Sequence, residues 1–480
     1  MQNDQPKSLD AADLPLVITT DHPEPQYLQL ANQLQALIDS RVLRAGTKLP
    51  ATRVLARTLG INRNTVVAAF ERLTSLGWID TRGRGGSVVS DLARQTQRAE
   101  VRPTKRPNRV RRECVAAKNR SGAVIDFRLG SADPTPLPLE VWRRACRAAG
   151  RRLPDAGYGN PQGDAELRTQ IARYLGRTRA LRVEPGQVVI TSGAGQAIER
   201  IAAAVLHPGD LAVVEEPGYP RAARAFEGSG ARVEPVAVDE DGIDTSALLA
   251  RRRAPKLIHV TPSHQYPLGS RLSAARRQAL IQWAREHDVL VIENDYDGEF
   301  RYESAPLPAL AALGGFGHVA YVGTFSKVLS PAMRLGFLVG RPELVAAITR
   351  AIAEARDSVS IVTQRIVTSL ISSGELERHI RRTRRSYAAR RAAMLKALES
   401  ISEVEGVSGH AAGLHVVVKC RAGALNTGAF ECLERQGIRV DRLADFQRTG
   451  ADPDTLLMAY GHLTEADIAR GAARLADVLR

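Results

Sequence analysis

A lysine that forms an imine with a phosphorylated aldehyde needs hydroxyls and a cation nearby for the phosphate, and the segment GTFSKVLSPAMRLGF (323–337) supplies all of them. Lys327 follows an apolar run, Thr324 and Ser326 offer hydroxyls beside it, and Arg334, seven residues on, offers a phosphate counterion. This is the equipment of pyridoxal 5'-phosphate chemistry. A lone Ser-Lys pair carries no such meaning; the combined spacing of hydroxyls, lysine, proline and arginine does.

Further pieces of the same chemistry lie upstream. In TSGAGQAIERI (191–201) the small residues Gly193, Ala194 and Gly195 lead a strand into a helix, where backbone N–H groups can hold a phosphate, although routine strand-to-helix turns share that shape. In EEPGYPRA (215–222) Tyr219 is placed to stack on a cofactor ring and Arg221 to meet a ligand carboxylate. TPSHQYPLG (261–269) is a turn-rich loop at a strand end, where ligands of open α/β sheets sit; its His264 reads more readily as a structural hydrogen-bonder than as a catalyst. VIENDYDGEFRY (291–302) ends a strand with acids and two tyrosines. On a strand Asn294 shares a face with Tyr296, and Asp295 points away unless the strand has already ended.

A second chemistry, the reading of nucleic acid, stands at the N-terminus. LPATRVLARTLG (49–60) ends on Gly60, a natural helix stop, and Asn62 can cap a following helix through residues 71–73. LGWIDTRGRGGSVVS (76–90) then alternates as two short strands about a basic glycine turn. That is the layout of a winged helix-turn-helix, in which Arg63, Asn64 and Thr65 begin the helix that reaches base edges; a small helical protein-interaction module with a basic face is the alternative on shape alone. Arg53 is placed to hold a phosphate, and Arg82 and Arg84 on the wing to enter the minor groove or touch backbone. Gln26 to Ser90 carries nine Lys or Arg against three Asp or Glu, consistent with a net charge of +15 for the whole chain. This charge suits a polyanionic partner, although solvated basic surfaces are common and net charge alone is weak evidence.

The elements that must position these groups fall into two cores, as 480 residues require. We expect a winged helix-turn-helix over 24–90, opened by an amphipathic helix on Leu28, Ala31, Leu34, Leu37 and Ile38, and a body over 123–480. Residues 91–122, with ten Lys or Arg and two prolines, read as a basic linker. In the body, β-rich runs at 188, 211, 256, 289 and 319 alternate with helical segments, which implies a parallel α/β sheet. A long Arg-rich helix at 375–400, a strand at 414–418 and a final helix at 465–479 form a smaller α+β subdomain. Cys114, Cys146, Cys420 and Cys432 show neither metal nor redox spacing, and no apolar run approaches the roughly 18 residues of a membrane span, so a cytoplasmic protein without a metal site is expected.

The lysine segment resembles the corresponding motif of fold-type I aminotransferases, and residues 26–90 resemble the winged-helix domain of the GntR regulators along their whole length, from Leu-Pro-Ala-Thr-Arg through Asn62 to Val66 and the glycine-rich wing. Together, over about 26–90 and 125–480, the segments resemble the MocR/GabR subfamily, with every motif in family order. The resemblance implies that Lys327 forms the internal aldimine of pyridoxal 5'-phosphate, that Tyr296 bonds the cofactor's phenolic oxygen, and that Tyr219 and Arg221 shape the ring and effector site. It implies a homodimer in which Tyr158, in YGNPQG, reaches the phosphate of the neighbouring subunit.

Four positions depart from the pattern. Arg41 stands where a glycine is usual, and Tyr266 where true aminotransferases often have Asn. Asn294 stands where an Asp usually keeps the pyridine nitrogen protonated, which should weaken carbanion chemistry more than cofactor attachment. Leu457 replaces the arginine that clamps a substrate α-carboxylate, leaving Arg221 and Arg442 as the candidates. The expectation is a regulator that binds a double-stranded DNA operator and senses an amine, an amino acid or the cofactor itself. The alternatives are a working aminotransferase with an accessory DNA reader, and a regulator whose body only dimerises.

Overall fold

The computed structural model describes residues 11, 14–20, 22–40, 42–81, 86–90, 124–251, 253–302 and 308–480. The chain divides into two compact units, on either side of residue 119. Arg41, the wing residues Arg82 and Arg84, and the basic segment 91–122 with Cys114 fall outside the described residues.

The first unit contains helices α1 (Gln26–Asp39), α2 (Thr52–Leu59) and α3 (Arg63–Ser75), then strands β1 (Ile79–Thr81) and β2 (Ser87–Val89). Leu30, Ala31, Leu34 and Ile38, at helical spacing on α1, are buried in one cluster with Leu55 and Ala56 of α2 and Val66, Ala69, Phe70 and Leu73 of α3. Gly60 ends α2 in the left-handed conformation at φ 67°, which a side chain would resist. Two residues later the Asn62 side chain accepts a hydrogen bond from the backbone N–H of Asn64 and starts α3. The strands pair antiparallel, Ile79 opposite Val89.

The second unit is built on strands β3 (Ile125–Asp126), β4 (Val188–Thr191), β5 (Leu211–Glu216), β6 (Arg232–Asp239), β7 (Gly242–Ile243), β8 (Leu257–Val260), β9 (Leu290–Asp295), β10 (Val319–Thr324) and β11 (Gly336–Val339). Eight of them form one sheet in the order β4-β11-β10-β9-β8-β5-β6-β7. The five runs expected to form a parallel sheet, β4, β5, β8, β9 and β10, do run parallel, while β11 runs antiparallel to both β10 and β4, and β7 antiparallel to β6. The segment 325–335 joining β10 to β11 contains no crossover helix, so the chain can only turn back on itself.

Helices cover both faces. In chain order they are α4 (Leu139–Ala149), α5 (Ala165–Arg179), α6 (Ala194–Val205), α7 (Pro220–Gly228), α8 (Thr245–Leu249), α9 (Ala274–Glu286), α10 (Leu310–Gly314), α11 (Pro342–Ala355) and α12 (Ile361–Ser372); α13 (Glu375–Glu399) follows and packs chiefly with the C-terminal elements, as expected. Alternate strand residues feed two separate cores. Leu257, Leu290, Ile292, Ala320 and Val322 join the apolar faces of α6, α7 and α11. Ile258, Val260, Val291, Val319 and Tyr321 join residues of α5, α9 and α12.

The remainder forms the expected smaller α+β part. Strands β12 (Val404–Ser408), β13 (His415–Cys420), β14 (Ile438–Arg439), β15 (Asp441–Arg442) and β16 (Thr455–Ala459) accompany helices α14 (Thr427–Arg435) and α15 (Glu465–Leu479). The order β12-β13-β16-β15 makes an antiparallel sheet, while β14 pairs with β3. Among the described residues, no helix is long and apolar enough to cross a membrane, and no group of His, Cys, Asp and Glu is arranged to hold a metal ion.

Candidate cofactor site and DNA-reading helix

Parallel strands bring their C-terminal ends to one edge of a sheet, and the residues singled out in the sequence follow those ends. Thr324 of β10 lies opposite Gly336 of β11, which lies opposite Thr191 of β4. The register therefore sets the lysine loop beside the Gly193 turn. The fit is close: a Cβ on Gly336 would come within 2.7 Å of the Gly193 Cα, so Gly336 must be bare there. Gly193, at φ 117°, caps α6, whose first N–H groups, on Ala194 and Gly195, have no partner within the helix. A Cβ on Gly195 would stand 2.9 Å from the Arg221 guanidinium, so this glycine makes room for that cation.

Thr324 Oγ1 donates to Ser326 Oγ at 3.0 Å and accepts from the Ser326 N–H at 3.1 Å. Lys327 is half-buried, and its Nζ donates to the Gly130 carbonyl at 2.7 Å. Burial pushes its ammonium down to about 8, against a smaller opposing pull from Asp297. Arg334 is exposed and held in the left-handed region at φ 48°.

The ring end of the site lies on the α6/α7 face of the sheet. Asn294 shares the parity of Ile292, and His259 of β8 shares that of Leu257, so both point to that face. Asn294 Nδ2 is 3.3 Å from His259 Nε2. Asn294 Oδ1 and His259 Nδ1 are both buried without a hydrogen-bond partner. Burial holds His259 down to about 3, so its imidazole is neutral. The Tyr219 ring stacks over His259 at 6.0 Å between centroids. His259 is the functional candidate that sequence reading missed. Its signal was faint, a single polar residue inside the apolar run LIHV.

Asp295 leaves the cofactor set. The strand continues through it, and its Oδ2 accepts from Arg179 Nε at 2.5 Å and from the Tyr321 hydroxyl at 2.7 Å on the opposite face. Tyr296 returns to the site side. Its hydroxyl is 3.0 Å from His264 Nδ1, which also lies 2.8 Å from Asp297 Oδ2. Burial raises the Tyr296 phenol well above the usual tyrosine range, and the Asp297 carboxylate adds to this. His264 is thus tied into the support of Tyr296.

Tyr266 fills the centre of an aromatic wall, with its ring edge-on to Tyr219 and Tyr296 at 5.5 Å each and to Phe446 at 5.6 Å. Leu457, at the carboxylate-clamp position, is buried with Val417 and Leu443, and Leu268 and Phe446 pack on that cluster. Arg442 does not supply the missing cation: it is engaged by Asp445 at 2.8 Å and lies over the Phe430 ring at 5.2 Å. Arg221, half-exposed, lies 3.6 Å from Glu199, and its charge, with that of Arg334, opposes the rise that burial imposes on the Tyr219 phenol. Tyr158 is 72% exposed, and its recorded contacts are to Arg356, a hydrogen bond at 3.2 Å and a cation–π contact at 5.0 Å.

Residues 124–475 match the aminotransferase class I and II family, and residues 26–89 match the bacterial regulatory proteins of the gntR family. The probable rhizopine catabolism regulatory protein MocR of Rhizobium meliloti is 34% identical over 78% of this chain and 77% of its own. The pyridoxine biosynthesis transcriptional regulator PdxR of Corynebacterium glutamicum is 31% identical over 98% of this chain and 99% of its own. The chain belongs to the MocR/GabR subfamily of GntR-type regulators. The body of this MocR-type regulator also superposes on solved aminotransferases. LysN of Thermus thermophilus, an α-aminoadipate aminotransferase complexed with N-(5'-phosphopyridoxyl)-L-leucine, matches at TM-score 0.67 and 30% identity over 74% of this chain and 92% of that one. A kynurenine aminotransferase of Pyrococcus horikoshii matches at TM-score 0.67 and 28% identity over 75% and 91%.

In the GntR unit of this MocR-type regulator, Arg63 and Asn64 are exposed and Thr65 is half-buried in the first turn of α3, and that turn carries no acidic residue. Cationic and neutral side chains thus surround a helix N-terminus, the arrangement that a phosphate-lined groove accepts. Arg53, near the start of α2, is exposed as well.

Proposed function

We propose that this transcriptional regulator carries pyridoxal 5'-phosphate on Lys327 and uses it to receive a small amine or amino acid, whose arrival alters how the protein engages a double-stranded DNA operator. When bound, the cofactor supplies an aldehyde carbon that a lysine or a ligand amine can hold covalently and exchange. The residues present fit it. The Ala194 and Gly195 N–H groups, Thr324, Ser326 and Arg334 would take the phosphate, Tyr219 would cover the ring, and Tyr296 would meet the phenolic oxygen. The depressed Lys327 amine is suited to covalent exchange near neutral pH.

The observation that carries the receptor reading is the Asn294–His259 pair. Two neutral side chains, one with a buried unpartnered oxygen, stand where a carboxylate would stabilise a charged pyridine nitrogen. Such a pair holds the ring without making it a strong electron sink. The apolar packing around Leu457 also argues against the usual α-carboxylate clamp, leaving Arg221 to meet a ligand carboxylate. A homodimer completes the reading, with the exposed Tyr158 offered to a second copy.

Absorbance of the purified protein in the region of the lysine-bound cofactor tests the first step: wild type shows the band and Lys327→Ala lacks it. Amines are then added in single turnover. A shifted band without keto-acid release supports the receptor, whereas sustained keto-acid production supports a working aminotransferase. A wild-type protein without cofactor overturns the proposal.

A further inference from the structure

Behind the cofactor strand, on the face that carries Asp295, the end of α5 and the first turns of α13 border a cavity of about 450 Å³. Arg177, Arg179, Arg381 and Arg384 line it, together with Glu299 and Glu377. The two carboxylates are already engaged. Glu377 pairs with Arg177 at 2.6 Å. Glu299 accepts from the Tyr174 hydroxyl at 2.8 Å and lies 3.3 Å from Arg179 Nη2.

Among the described residues, the other two guanidiniums meet no carboxylate. Arg384 donates through Nε and Nη2 to the Glu299 carbonyl at 3.1 and 2.7 Å. Arg381 is exposed and makes no hydrogen bond or ion pair among the described residues. Arg179 has a side chain only 2% exposed, is paired with Asp295 and Glu299, and keeps its Nη2 sealed from the cavity.

We propose that this cavity is a second ligand site, separate from Lys327, that takes a small organic anion bearing a carboxylate or phosphate group. The anionic group sits between Arg381 and Arg384, the two lining guanidiniums that no described carboxylate engages. Ile380 and Pro308 supply apolar wall for the carbon part, and the volume lies in the ordinary range for small-ligand sites. Arg179 also grips Asp295, which stands between Asn294 and Tyr296 on the cofactor strand.

The full-length protein, loaded with cofactor and freed of excess, is titrated calorimetrically at low ionic strength with succinate and, separately, with glycerol 3-phosphate. At least one probe binds saturably, one per chain, and which one binds better identifies the carboxylate or phosphate class. Arg381→Ala weakens that binding about ten-fold or more, and Arg381→Lys weakens it less. Arg381 is exposed, so its substitution leaves the fold intact, and an unchanged cofactor absorbance band verifies the Lys327 site in each variant. Failure of both probes to bind the wild type, or equal binding by Arg381→Ala, overturns the proposal; neither result touches the role of Lys327.

Discussion

The Asn294 amide nitrogen lies 3.3 Å from His259 Nε2, while the amide oxygen of the same side chain is buried with no partner. With Nδ2 donating, Nε2 accepts and the ring proton of His259 rests on Nδ1. The pair is neutral, and it leaves one buried acceptor unanswered.

Asn294→Asp should therefore change the chemistry more than the binding. We expect cofactor occupancy to persist and the transamination half-reaction with a reactive amino acid to quicken on the order of ten-fold or more, since one pKa unit on the ring nitrogen corresponds to that factor. Rapid-mixing absorbance measures it. Equal rates in wild type and variant would show that the ring nitrogen is not at this position.

Lys327 attacks an aldehyde only as the neutral amine, and burial brings its pKa down to about 8 from the usual lysine value. The neutral fraction rises with pH, so the rate at which apo-protein takes up pyridoxal phosphate should climb through about pH 8 and level off above it. Stopped-flow absorbance across roughly pH 6.5 to 9.5 follows this. A rate still climbing steeply at the upper limit would mean that the amine is not depressed.

Arg179 and Asp295 form a buried ion pair, with side chains 2% and 1% exposed. Removing the cation strands a carboxylate in the core. Arg179→Met should cost about 3–5 kcal/mol of body stability in urea unfolding, the usual penalty for breaking a buried pair from one side. A loss below about 1 kcal/mol would contradict the burial.

In the DNA-reading unit, Arg63 and Arg53 should separate by type of effect. Arg63→Ala is expected to relax sequence discrimination by about 1–3 kcal/mol, whereas Arg53→Ala should weaken all duplexes alike and lower the salt slope by about one. Binding titrations with operator and scrambled duplexes at several salt concentrations distinguish them. Unchanged specificity in Arg63→Ala would move the reading surface elsewhere.

Local signals carried much of this structure. Asn62 and Gly60 act within a few residues of themselves, so the cap and stop of the reading helices were legible directly. The period-two alternation of VLVIEN already implied that Asn294 and Asp295 face opposite ways, and the strand does run through Asp295. By contrast, the return of β11 against β10 was not legible, because GFLV is apolar on both faces and its direction depends on which neighbours it meets. Arg442 looked like a candidate carboxylate clamp only because its engagement by Asp445 and Phe430 is a property of the folded subdomain.

By itself the sequence determined which residues can do chemistry, Lys327 with its hydroxyls and Arg63 at a helix start, because those signals lie in runs of adjacent residues. Only the tertiary structure decided what surrounds them. His259 comes to Asn294 from 35 positions away, and Arg179 comes to Asp295 from 116. Whether a buried amide meets a charge or a neutral ring is set by strand order and by the exclusion of water, neither of which any local run of residues encodes.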